Sequence, residues 1–231
     1  MLAIGMLSLV AGSVLLVTVF RWLPVPTTSF IVQDHIAALG EERTGSRPSH
    51  DWVPWTAISP QAAVAVIAAE DQRFLEHGGF DFAAIDKAWT DARRGRRLRG
   101  ASTISQQVAK NLFLWPGQSW ARKGLEAWFT LWIEILWPKQ RILEVYLNSA
   151  EFGLGVWGVE AASRHYFRKP AARLNRNEAA LLAAVLPSPK RYRVDRPSVY
   201  VQRRQSWILQ QMWMLGGLRL LDGLDTEPAQ R

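Results

Sequence analysis

Glu70 and Asp71 are adjacent acids closing the alanine-rich run PQAAVAVIAAE. A helix C-terminus already carries partial negative charge, so carboxylates there are held against the macrodipole. That placement, among apolar neighbours, predicts a carboxyl pKa pushed up towards neutrality, as a general base requires. The plain alternative is a solvated helix end. His77 lies seven residues beyond Glu70 and shares its face only if the helix continues; otherwise it is structural.

The segment GASTISQQVAKN, residues 100–111, opens a helix with glycine and small hydroxyl residues. Such a start leaves backbone N–H groups free for an anion. Thr103, Gln107, Lys110 and Asn111 then fall on one polar face with a cation on it. A phosphate or diphosphate suits that face, although a solvated surface has the same pattern. In RKGLE, Arg122 and Lys123 precede Glu126 by one turn, the spacing of a helical ion pair. Surface pairs commonly look like this. Here the helix runs on into GLEAWFTLWIEILW, which carries Glu126 towards an interior or a cleft.

These residues need helices to hold them, and the sequence supplies the signals. Ser59-Pro60 is an N-cap with proline in the first turn. Asn175 with Glu178 forms a capping box before AALLAAVLP, which Pro187 ends. RILEVYLN is a short amphipathic helix, and residues 197–215 form another that stops at Gly216-Gly217. Strand-like alternation is scarce. The fold class is mainly α. Residues 124–137 read as a central buried helix with its tryptophans near a bilayer surface, because Glu126 and Glu134 would be costly inside lipid.

Residues 1–20 carry no charged side chain. A helix of that length spans about 30 Å, a hydrocarbon core. A cleaved signal would show a basic leader and a small-residue cleavage site; the run instead ends Val-Phe-Arg. The expected organisation is a transmembrane anchor at 1–20, a juxtamembrane connector and domain lead-in at 21–58, a catalytic domain at 59–221 and a tail at 222–231. Charge alone does not orient the anchor, since the N-terminal stub has no lysine or arginine.

With 231 residues, 48% of them hydrophobic, the chain suits one well-buried domain. The absence of cysteine excludes disulfides, thiol nucleophiles and cysteine-ligated metals. Four histidines with no i, i+4 pair leave little for a histidine metal site. The net charge of +8 favours anionic partners. FGLGVWG matches a glycine fingerprint through Gly153, Gly155 and Gly158, but it follows a helix, so a dinucleotide site is not expected. The arginines of residues 93–99 come with no nucleic-acid motif, and behind an anchor they suit lipid head groups or a diphosphate. No S-x-x-K occurs, so a penicillin-binding acyl-transfer site is absent.

In order, EDQRFLEHGGFD, GASTISQQVAKNLF, RKGLE, KQRILEVYLN with FGLGVWGVEAA, and LLAAVLPSP resemble the motifs of the family-51 glycosyltransferases, the peptidoglycan polymerases. Gln72 departs from the family pattern, where a basic residue is common. The resemblance implies a lysozyme-like α domain in the periplasm, tethered by one span to the bacterial inner membrane. It implies lipid II and the growing glycan strand as substrates, joined β-1,4 with inversion and release of undecaprenyl diphosphate. Glu70 matches the catalytic base and Glu126 the second catalytic glutamate. Ser102, Gln107, Lys110, Asn111, Arg122 and Lys123 match positions that hold the donor's sugar-diphosphate, with Asp71 and Thr103 beside them as substrate-binding candidates. No cofactor or resident metal is required, although a divalent cation (Mg or Mn) could assist the diphosphate. Membrane lipid is an expected partner, cell-wall synthesis or division proteins are candidates, and nucleic acid is not. Two rivals share parts of this pattern: a lytic, lysozyme-like enzyme, and a non-catalytic anchored scaffold.

Overall fold

The computed structural model describes residues 1–40, 49–94, 102–117 and 119–224. Ten helices carry the described fold: α1 (Leu2–Val19), α2 (Ser29–Gly40), α3 (Pro60–Glu70), α4 (Phe82–Arg93), α5 (Ile104–Phe113), α6 (Trp120–Leu136), α7 (Lys139–Ser149), α8 (Val159–Phe167), α9 (Arg176–Val185) and α10 (Val199–Met214). Short 3-10 turns cover Trp55–Ala57, Ala171–Arg173 and Gly217–Leu224.

Helix α3 is the axis of the core. Ala62 to Ala68 are all buried, which small side chains permit because neighbouring helices can approach closely on every side. Helices α9 and α10 pack against it, α7 touches it as well, and α5 packs in turn on α6 and α7. The expected starts are present. Ser59 Oγ accepts the Gln61 N–H ahead of Pro60, and Asn175 and Glu178 form the reciprocal capping box. Helix α10 ends at Met214, before Gly216 and Gly217, both with positive φ.

A small sheet interrupts the helices. Strands β1 (Ser49–His50), β2 (Glu151–Gly153) and β3 (Val156–Trp157) take the order β1-β3-β2, parallel then antiparallel. Segments this short leave no readable alternation. The glycines of FGLGVWG therefore belong to a hairpin and the cap of α8. Gly158 has φ +84° and sits so close to the Asn148 carbonyl that a Cβ would come within 2.9 Å of that oxygen. Asn148 in turn clamps the Val53 backbone, donating to its carbonyl and accepting from its N–H, both at 2.9 Å.

Two expectations change, one for α6 and one for the start of the tail. Helix α6 is not central: Leu125, Leu131 and Ile135 are exposed, Trp120 almost wholly, and only Glu126, Thr130 and Ile133 are buried. Within the 21–58 connector and domain lead-in, Val25, Thr28 and Ile31 are buried and α2 packs on α5. The C-terminal order runs past 221 to Leu224, which is buried. Among the described residues no helix is long and apolar enough to cross a membrane. Helix α1 docks its C-terminal half on α6, with Trp128 Nε1 donating to Ser13 Oγ at 3.1 Å and Trp137 Nε1 to the Val17 carbonyl at 2.8 Å. Its other half exposes Ile4, Met6, Leu7 and Leu9.

Candidate active site

Helix α3 delivers Glu70 as its last residue, with Asp71 at the C-cap. The Glu70 side chain is 14% exposed. Its Oε2 accepts from Gln107 Nε2 at 3.0 Å, and its Oε1 from Arg204 Nη2 at 3.3 Å. Burial pushes the Glu70 pKa up; Gln107, Arg204 and Lys110 oppose that rise and Asp71 adds to it. This carboxyl holds a proton more readily than a free glutamate does.

Asp71 faces another way. Its Oδ1 accepts from His77 Nε2 at 2.9 Å, and its Oδ2 from the Ile104 N–H at 3.0 Å. The Gly79 N–H donates to His77 Nδ1 at 3.1 Å, so the ring is the Nε2–H tautomer with both nitrogens engaged. Gly79 has φ +88°, and a Cβ there would strike Thr130 and Glu134. His77 thus serves Asp71 rather than Glu70, because the helix stops before it.

The start of α5 is also occupied. Thr103 is the buried N-cap: its Oγ1 accepts from the Gln106 N–H and donates to the Gly79 carbonyl at 2.7 Å, while Gln106 returns a bond to the Thr103 N–H. With Ile104 held by Asp71, the N–H groups expected to be free for an anion are largely engaged within the fold. The macrodipole stays, but a direct backbone cradle does not. Ser102, next to this cap, is exposed and lines a cavity of about 360 Å3 together with Glu70, Asp71, Arg73, Lys87 and Thr103.

The polar face of α5 continues from Gln107 to Lys110. Gln107 bridges Glu70 and the buried Tyr146, whose hydroxyl donates to Gln107 Oε1 at 3.3 Å. Lys110 is largely buried, which lowers its pKa; it is attracted by Glu126 and Glu70 and repelled by Arg122 and Lys123. Its ammonium also lies 5.7 Å from the centre of the Phe30 ring. Asn111 turns aside, towards the Ser149 carbonyl at 3.5 Å.

Helix α6 brings the second group. Glu126 is 3% exposed. Arg122 Nη1 lies 3.4 Å from its Oε2, and Lys123 Nζ pairs with its Oε1. One buried carboxylate therefore fixes two cations in place, opposite Lys110. The Arg122 Nε is buried without a partner, a donor left for something else to meet.

The structure so gathers Glu70, Gln107, Lys110, Arg122, Lys123 and Glu126 from three helices, with Ser102 at the cavity. Asp71, Thr103 and Asn111 lie among them with their side chains bonded to the fold. Sequence reasoning missed Arg204, which comes from α10 far along the chain, in a run read only as an amphipathic helix. It also missed Tyr146, hidden in an amphipathic helix where an aromatic reads as core. Of the arginine-rich run, Arg93 and Arg94 end α4; residues 95–101 lie outside the described residues. Among the described residues no group of three or more histidine or acidic side chains could hold a metal ion.

A buried carboxyl with a raised pKa, linked through Lys110 to the cations that Glu126 holds, is the kind of site found in a helical enzyme that handles an anionic substrate. Comparison with known proteins gives this class its family. The transglycosylase family model matches residues 36–213. A biosynthetic peptidoglycan transglycosylase of Pseudomonas putida is 54% identical over 224 residues, covering 96% of this chain and 94% of that protein. Its counterpart in Pseudomonas aeruginosa is 55% identical over 207 residues, covering 90% and 89%. The chain belongs to the transglycosylase family.

Proposed function

We propose that this chain polymerises lipid II into β-1,4-linked glycan strands, releasing undecaprenyl diphosphate. It is a peptidoglycan glycosyltransferase of the cell envelope, and the roles of its residues follow from their surroundings. The observation that carries the reading is Lys110, which lies between Glu70 on one side and Glu126 with its paired Arg122 and Lys123 on the other. Glu70 takes the proton from the acceptor's 4-hydroxyl as that oxygen attacks the donor's anomeric carbon. The bond from that carbon to the diphosphate breaks, its electron pair leaves with the diphosphate, and attack from the opposite face inverts the centre. The proton on Glu70 then passes to water.

Diphosphate is a good leaving group, so the remaining task is to hold its charge. Lys110, Arg122 and Lys123 do this as preorganised cations, with the unpartnered Arg122 Nε supplying a further donor. Glu126 acts by fixing Arg122 and Lys123. Ser102 and Gln107 complete the polar lining. Asp71 and Thr103 support the site by shaping the start of α5, and Asn111 by joining α5 to α7. No resident metal is needed; a divalent cation assisting the diphosphate, Mg or Mn, is tested by chelation.

The domain works at a membrane surface, where its substrate is. Helix α1, uncharged along its whole length, is proposed as a single-pass anchor in the inner membrane with the domain in the periplasm. The exposed Leu125, Leu131 and Ile135 of α6 sit beside it as an apolar flank. Division or cell-wall synthesis proteins are further candidate partners.

Purified full-length protein in detergent, given labelled lipid II, is expected to make long glycan that lysozyme digests, and Glu70→Gln to make none. Shortening of preformed glycan instead of polymer would assign the site to a hydrolase. Binding without either activity would leave a scaffold.

A further inference from the structure

Arg204 stands on α10, a helix that the sequence marks only by its amphipathic pattern, yet it reaches the one carboxylate on which the chemistry depends. Its Nη2 lies 3.3 Å from Glu70 Oε1 and 3.3 Å from the Ala69 carbonyl. One nitrogen so holds both the side chain of Glu70 and the last turn of α3. The Arg204 side chain is 18% exposed, and its Nε is buried without a partner. Nε and Nη2 form one edge of the guanidinium, the fork that takes a carboxylate bidentately. Nη2 holds Glu70 and Nε is unpartnered, so the second donor of that fork is unused.

We propose that Arg204 is a positioning residue for Glu70, orienting its carboxylate and keeping it ionised between turnovers. The proposal rests on Glu70 being the base. The groups facing Glu70 from each neighbouring element support it. Helix α5 offers the neutral amide of Gln107 and the cation Lys110, α7 the neutral Tyr146, the C-cap the anion Asp71, and α10 the cation Arg204. Lys110 is shared with Glu126, whereas Arg204 has no other ion-pair partner among the described residues. A buried carboxyl beside an anion, at a helix C-terminus, would otherwise remain protonated and unable to act as a base. Gln107 and Arg204 hold different oxygens, which fixes the plane of the carboxylate as well as its charge.

The test is the pH dependence of lipid II polymerisation between pH 5 and 9, with full-length protein in detergent. Arg204→Gln is expected to move the acid limb of kcat/KM up by about one pH unit or more, so that activity at pH 6 falls about tenfold and recovers towards wild type at pH 9. Arg204→Lys keeps the charge and loses the fork; its acid limb should stay near wild type while kcat falls. Arg203→Gln, on the exposed side of α10, should match wild type throughout. An unmoved acid limb in Arg204→Gln, with a loss equal at every pH, would overturn the proposal and leave a structural role. If circular dichroism shows that Arg204→Gln does not fold, Arg204→Lys decides: reduced kcat supports the proposal and wild-type kcat overturns it. Activity in Glu70→Gln would instead refute the base itself.

Discussion

Gln107 Nε2 donates to Glu70 Oε2 at 3.0 Å while Gln107 Oε1 accepts from the Tyr146 hydroxyl. The amide is therefore locked in one orientation, with its donor end on the carboxylate. Gln107→Leu removes that donor and leaves Tyr146 without its acceptor. Glu70 should then be harder to ionise, so the acid limb of the pH–rate profile moves up. A loss of kcat of about ten- to a hundredfold at pH 7 is expected. Tyr146→Phe frees the amide without removing it, and should cost less. Steady-state rates for the two variants order the effects.

The raised pKa of Glu70 has a consequence for stability. A group whose folded pKa lies above its unfolded value stabilises the fold below the unfolded pKa, and that contribution is lost as pH rises through the folded one. Glu70→Gln removes the buried charge, so it should raise Tm above wild type at pH 8 and abolish activity together. Towards pH 3, below the ordinary glutamate range of about 4.3, the wild-type carboxyl is largely neutral in either state and the two Tm values should converge. A constant difference across that range would show that Glu70 is not held up by burial.

Asp71 offers a sharper structural test, because its two oxygens serve two donors. In Asp71→Asn the amide nitrogen must face either the Ile104 N–H or His77 Nε2–H. The ring cannot change tautomer to receive it, since the Gly79 N–H already occupies Nδ1. One donor is left facing another, at a cost of about 1–3 kcal/mol, readable as a lower denaturation midpoint. The charge is lost too, so the surviving activity should extend to lower pH. That pair of shifts, less stable yet active further into acid, separates this variant from a simply misfolded one.

These contacts show where the sequence was readable. Ser59, Asn175 and Glu178 announce their helices because a cap is a local device, set by residues two or three apart. Glu70 was legible for the same reason: a helix end and its apolar run are both local. The bonds that make Glu70 useful are not. Gln107 and Arg204 lie 37 and 134 residues away, and only the packing of α10 on α3, and of α5 and α3 on α7, brings them to it. The anion cradle expected at α5 failed because its N–H is claimed by Asp71, 33 residues earlier. Helix α6 misled for a different reason: an apolar run means burial in protein or in lipid, and composition does not say which.

Glu151 reports on the far side of the domain. Burial raises its pKa to about 7, with Lys190 opposing the rise and Asp34 adding to it. Lys190 also pairs with Asp34 on α2 at 3.4 Å. By the same sign rule, stability contributed through Glu151 is present below its unfolded pKa and is lost as pH climbs through about 7. Glu151→Gln should therefore flatten the fall in Tm between pH 5 and 8. A slope unchanged from wild type would mean that the carboxyl titrates as an exposed one.

Helix α1 and the rest of the domain meet at Arg141, which donates to the carbonyls of Phe20 and Leu23 and pairs with Glu144. Trp52 and Trp137 lie within cation–π range of it, and Val17 is fully buried against the core. The end of α1 is thus part of the domain, and the place of truncation matters. Removing residues 1–11 keeps Ser13, Val17 and Phe20, so the domain should fold with nearly native Tm. Removing residues 1–23 strips Arg141 of its carbonyl acceptors and uncovers Trp137. Loss of those partners from a buried guanidinium should cost several kcal/mol, seen as a large fall in Tm. The shorter deletion should still polymerise lipid II in detergent micelles but require more of it, because the domain no longer shares the micelle through α1. Equal Tm for the two truncations would show that the helix is only a tether.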